Sequence, residues 1–151
     1  MSRSRQGLST ALLALLVVGL VTGVALAANQ VKGASYKGAL TPPRDGVSVS
    51  FKVSGSGARV TSLALTNVPL YCEGGGPPIP VRFKDAVISA KGTFTSKAQV
   101  MIKVGPLKGQ VGERLTIAGK FLKGRSEQGK LTTTYPHAQQ CSGSSSYSTK
   151  A

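Results

Sequence analysis

The sequence predicts an all-β fold: an antiparallel β-sandwich or small barrel of about seven to nine strands. One disulfide is expected to staple it, and an N-terminal signal helix to precede it. Three observations predict this. Apolar residues recur at every second position in successive short runs. Glycine- and proline-rich breaks separate the runs. Two cysteines, Cys72 and Cys141, both follow an export signal.

The signal comes first in the chain. Arg3 and Arg5 precede an almost wholly apolar run from Leu8 to Ala28, which closes on Ala25-Leu26-Ala27. A basic start, an apolar middle and a small-x-small end in that order make a secretory signal, with the cut after Ala27. Residues 1–27 are therefore read as a signal peptide and 28–151 as a single β domain. The alternative is an uncleaved membrane anchor, because 11–28 is just long enough to span a bilayer. Either reading puts the domain outside the membrane: secreted, or associated with the cell envelope.

The strands follow. Val47, Val49, Phe51 and Val53 alternate with Ser48, Ser50 and Lys52. Ile79, Val81 and Phe83 alternate with Pro80, Arg82 and Lys84. Val100, Ile102 and Val104 alternate around Met101 and Lys103. Leu115, Ile117 and Phe121 alternate with Arg114, Thr116, Ala118 and Lys120, and Leu131, Thr133 and Tyr135 extend the series. Such alternation buries one face and wets the other, the mark of an antiparallel sheet. Around residues 60–63 the phase slips, since Val60 is out of step with Leu63 and Leu65; a β-bulge absorbs such an extra residue. Turns are expected at 42–46, 54–57, 74–78, 91–92, 105–106 and 124–129.

An even cysteine count in an oxidising compartment reads as a disulfide. A Cys72–Cys141 bridge closes a loop of 69 residues. In the chain-entropy model such a loop is worth about 4 kcal/mol. It would tie a last strand around Tyr147 to the middle of the fold.

The chemistry-bearing residues are few. His137 is the only histidine and follows Tyr135-Pro136, so it reads as a solvated loop residue. The five acids, Asp45, Glu73, Asp85, Glu113 and Glu127, are scattered singly and read as solvated surface groups. No serine sits in a nucleophile elbow. Gly119 to Ser126 approaches a phosphate loop, but arginine replaces the lysine and strand patterns flank it on both sides. No catalytic residue, cofactor site or metal site is expected, and the chain is read as not an enzyme. There is no tryptophan for sugar stacking; Phe51, Phe83 and Phe121 fall on the inward phase, and Tyr71 is the best candidate for an exposed ring.

Charge is the positive functional signal. The net charge of +14 loses two with Arg3 and Arg5, leaving +12 on the domain. Lys52, Arg82, Lys84, Lys103, Arg114 and Lys120 all take the outward phase of their strands. On neighbouring strands their heads would form a basic sheet face that attracts polyanions. The plainer reading is a solvated face that keeps strand edges from aggregating.

Some of these features also carry a resemblance. Tyr36-Lys37-Gly38, Ser50-Phe51-Lys52-Val53, Val60, Cys72, Gly119-Lys120-Phe121 and the late Cys141 with a short last strand occur in that order. In this the chain resembles small secreted two-cysteine β-domain proteins of high-GC Gram-positive bacteria. That group often ends in a tryptophan-bearing strand, where this chain has Tyr147. The resemblance implies a fold and an address, and no activity.

The expected function is a non-catalytic secreted or cell-envelope interaction domain that binds anionic cell-wall polymers or acidic glycans through its basic face. Nucleic acid is not an expected partner, and the membrane is met only through the N-terminal segment. The alternatives are a secreted hydrolase whose site assembles from scattered residues, and a secreted protease inhibitor that presents the loop at 73–80.

Overall fold

Period-two alternation builds strands only where each finds a neighbour for its backbone groups. In the computed structural model, residues 29–42, 44, 46–69 and 77–151 are described. The signal segment, Asp45, Tyr71, Cys72 and Glu73 lie outside the described residues. Among the described residues nine strands form one antiparallel sheet. They are β1 (Ser35–Leu40), β2 (Ser48–Val53), β3 (Arg59–Val68), β4 (Ile79–Arg82), β5 (Ala86–Val87), β6 (Thr93–Met101), β7 (Val111–Leu122), β8 (Ser126–Thr134) and β9 (Gly143–Lys150).

The sheet order is β4-β3-β2-β1-β9-β8-β7-β6. β4 and β5 lie end to end along β3: β4 pairs with Ala64 to Val68, and β5 with Arg59 and Val60. Along this path every neighbour is consecutive in sequence except β1 with β9, which joins the start of the domain to its end. The sheet curls into a nearly closed barrel. Phe51 of β2 and Phe94 of β6 show it: their rings stand 5.5 Å apart although five places separate their strands along the sheet.

The inward phase fills the barrel. Tyr36, Val49, Phe51, Val60, Leu65, Leu115, Ile117, Phe121 and Leu131 are all buried. Four rings meet at the centre. Tyr36 stacks on Phe51 with centroids 5.0 Å apart, and Phe94 and Phe121 close around them. The phase slip in β3 is a bulge: Ser62 takes φ +53°, and the β2–β3 register shifts between Ser50 and Lys52.

Three readings of the sequence are corrected. Glu113 and Glu127 are buried, not solvated; both share the inward phase of their strands with Leu115 and Leu131. The strand placed at Val100 to Val104 instead runs back from Met101 to Thr93, and Val104 is 69% exposed in the following loop. Its inward residues Phe94, Ser96 and Ala98 are mostly small, so the alternation was faint. Lys103, taken as outward on that strand, lies in the loop after β6.

β9 is nearly all serine, threonine and glycine. It is held by ladders on both sides, to β1 and to β8. A short 3₁₀ turn, Gln139–Cys141, leads into it, and Cys141 is not a free thiol. His137 is exposed in the turn before it. The near-miss phosphate loop is a hairpin from β7 to β8, with Gly124 at φ +78°.

Candidate functional site

Where the sheet path ends, β4 and β6 face each other across a seam. The amide of Phe83 bonds to the Leu63 carbonyl of β3. Backbone groups alternate sides along a strand, so those of Pro80, Arg82 and Lys84 face the seam. Proline supplies no amide there, which suits an edge. The chain breaks between β4 and β5 at Phe83 to Asp85, and the bulge at Ser62 bends β3 beside it. Closure is limited to one end. The Ser96 hydroxyl donates to the Lys84 carbonyl at 2.6 Å, and the Ser89 amide donates to the Thr93 carbonyl at 2.8 Å.

The open part is a groove of about 510 Å³ lined by Arg82, Phe83, Lys84, Lys97, Ala98 and Gln99. Its rim is cationic and its floor apolar. A second concavity continues along β3 and includes Asp85, the one acid described beside it.

The six basic residues read from the sequence are all exposed, but the topology divides them. Arg82 and Lys84 form one rim of the seam. Arg114 lies one strand further round, opposite Gln99, and Lys120 lies opposite Thr93. Lys103 is in the loop after β6. Lys52 is on β2, four places from β7 in the sheet order and so on the far wall. Lys97 completes the seam rim and was missed, because β6 was placed too late in the chain. Once Phe94 is taken as inward, the period-two pattern puts Lys97 outward.

A second polar arrangement lies inside the barrel. Glu127 on β8 accepts a hydrogen bond from the Thr149 hydroxyl at 2.8 Å. Its carboxyl leans over Gly119, where a β-carbon would collide with it and with the Phe94 ring. The Tyr147 ring lies across Gly129 in the same way, and its hydroxyl reaches the Ala118 carbonyl at 3.4 Å. Burial penalises the charged form and pushes the Glu127 carboxyl up to about 7, while Thr149 and Tyr147 partly oppose the shift. Burial and the neighbouring Glu127 push the Tyr147 hydroxyl up as well.

Toward the other end, the Arg44 Nη2 donates to the Thr133 hydroxyl at 2.9 Å and to the Tyr135 hydroxyl at 3.0 Å. It stands 3.7 Å from Glu113, an ionic contact longer than a hydrogen bond. Burial raises the Glu113 carboxyl, with Tyr135 and Arg44 acting against it. Phe121 pairs with Glu127, and Glu113 lies eight residues before Phe121 on β7. The two buried acids are thus about 26 Å apart along the strand at 3.3 Å per residue, far beyond the carboxylate separations of glycosidases. No group of three or more histidine, cysteine or acidic residues clusters for a metal among the described residues.

Comparison with known proteins finds no matching family model, no matching curated protein and no matching solved structure.

Proposed function

We propose that this chain is an exported, non-catalytic interaction domain of the cell envelope, and that it holds anionic wall polymers or acidic glycans along its basic seam. The observation that carries the reading is the convergence of Arg82, Lys84 and Lys97 on one groove. The domain's net charge, +12 without Arg3 and Arg5, supplies long-range attraction. The groove gives that attraction a place. The buried acids belong to the barrel interior and take no part.

The test is retention on isolated cell wall, and on immobilised polyphosphate, as a function of salt. Affinity is expected to fall steeply as salt rises, because each neutralised charge releases counterions. Replacing Arg82, Lys84 and Lys97 together by alanine is expected to weaken binding about tenfold or more near 0.1 M salt and to flatten the salt dependence. A control removes Lys37 and Lys150, which face each other across β1 and β9 on the opposite wall. Equal losses in the two variants would leave only diffuse charge, and retention indifferent to salt would remove the electrostatic reading.

Export and the Cys72–Cys141 bridge belong to the same proposal. Cys141 is anchored at the start of β9, and that strand pairs with both β1 and β8. A bridge to Cys72 would fasten this joint to the chain after β3. Thiol titration of the native exported protein is expected to find no free thiol. Cys141→Ser is expected to lower stability by about 4 kcal/mol. Two reactive thiols in the native protein would overturn the bridge.

A further inference from the structure

The seam carries more than charge. Among the described residues, β4 and β6 face each other there with no backbone ladder between them. The Gly92 carbonyl turns to β7, bonding the Phe121 amide, while the Thr93 carbonyl turns to the seam. By alternation the backbone groups of Thr95, Lys97 and Gln99 also point into the seam. Opposite them are those of Pro80 and Arg82. The apolar floor is exposed at this place too. Ile79, Ala98 and Val100 take the inward phase beside the core, yet are only partly buried. Most inward apolar residues elsewhere in the barrel are buried.

We propose that the seam receives an extended acidic polypeptide as an added strand, which completes the barrel between β4 and β6. Attraction to the basic rim rests on the reading above; the backbone pairing is additional to it. Edge strands bind extended peptides through main-chain hydrogen bonds, with alternate side chains setting specificity. β4 and β6 run antiparallel to each other through the sheet order, so the guest pairs antiparallel with one and parallel with the other. Its inward side chains cover Ile79, Ala98 and Val100 and are apolar. Its outward side chains stand between Arg82, Lys84 and Lys97 and are acidic. The guest therefore alternates apolar and acidic residues.

The probe is a labelled eight-residue peptide alternating valine and glutamate, titrated into the protein by fluorescence anisotropy. Three comparisons accompany it: a peptide of the same composition with its glutamates contiguous, the alternating peptide with N-methylated backbone amides, and polyphosphate. The alternating peptide is expected to bind about tenfold or more tightly than the other two peptides, the effect of one to two lost backbone hydrogen bonds. On binding, the amides of Lys97 and Gln99, beyond the closed end, are expected to gain protection from hydrogen exchange. Gln99→Pro removes a seam-facing amide and none of the β6–β7 ladder, and Ala98 before it is already extended. That variant is expected to keep its thermal midpoint while losing about tenfold in peptide affinity. If it fails to fold, the exchange experiment on the unaltered protein decides. Equal binding of the three peptides, or peptide binding without protection of the β6 amides, would overturn strand addition and leave the basic seam standing. Binding of polyphosphate but of no peptide would do the same. Failure of polyphosphate and peptides alike would bring down both readings.

Discussion

Phe51→Ala is expected to lower the unfolding free energy by about 3–5 kcal/mol, toward the upper end of that range. Phe51 is 2% exposed and touches three other rings: Tyr36 on β1, Phe94 on β6 and Phe121 on β7. Those contacts join strands from both ends of the sheet path, so this one side chain holds the curled sheet together across its interior. The cost of a truncation depends on how far the surroundings collapse into the void. Here the walls are strands tied by continuous ladders, so little collapse is available. Loss of the ring contacts adds to the loss of buried area. A domain of this size has about 5–15 kcal/mol in total, so the variant sits near its folding limit. Urea unfolding is the measurement: the midpoint should fall sharply with the slope unchanged. Phe51→Leu, which refills most of the space, should recover a large part of the loss. A loss below about 1 kcal/mol would show that the four rings do not brace the barrel.

The same ring was legible in the sequence, since Phe51 stands between Val49 and Val53 in unbroken alternation. β2, β7 and the bulge at Ser62 could be read for the same reason: strong apolar residues mark the phase and its slip. β9 could not. Its inward residues are Ser145, Tyr147 and Thr149, and a strand held by two neighbours needs little apolar signal of its own. The buried acids failed differently. Glu113 and Glu127 sit in phase with Leu115 and Leu131, so periodicity already pointed them inward. The assumption that a carboxylate seeks water outweighed that pattern. What the sequence lacked was Gly119, Thr149 and Tyr147 as the surroundings of Glu127, which become neighbours only through the ladders from β7 to β9. The basic site was half legible. Phase gave the outward direction of Arg82 and Lys84, but strand order decides which outward residues share a wall. It separated Lys52 from Arg114 and Lys120 and brought in Lys97.

Glu127→Gln is expected to stabilise the protein at alkaline pH and to change little in acid. The carboxyl titrates at about 7 in the fold against an ordinary 4.5, so the folded state favours the protonated form. A carboxyl shifted in this direction contributes fully below pH 4.5, and its contribution is lost as the pH rises through 7. The slope in that window is about 1.4 kcal/mol per pH unit, and the whole change is about 3 kcal/mol. This sign is opposite to that of a surface carboxylate held by an ion pair, which loses stability in acid. Glutamine keeps the volume and still accepts from the Thr149 hydroxyl, but it carries no charge to be desolvated. The two proteins should therefore unfold alike at pH 4 and diverge between pH 4.5 and 7. Above that they should run parallel, with the variant more stable by about 3 kcal/mol. Glu113 is shifted in the same direction and tilts both curves equally, so their difference isolates Glu127. Curves that stay parallel from pH 4 to 8 would mean that the carboxyl is ionised inside the barrel throughout. Thr149, Tyr147 and the space over Gly119 would then form a true carboxylate site, and the desolvation argument would fail.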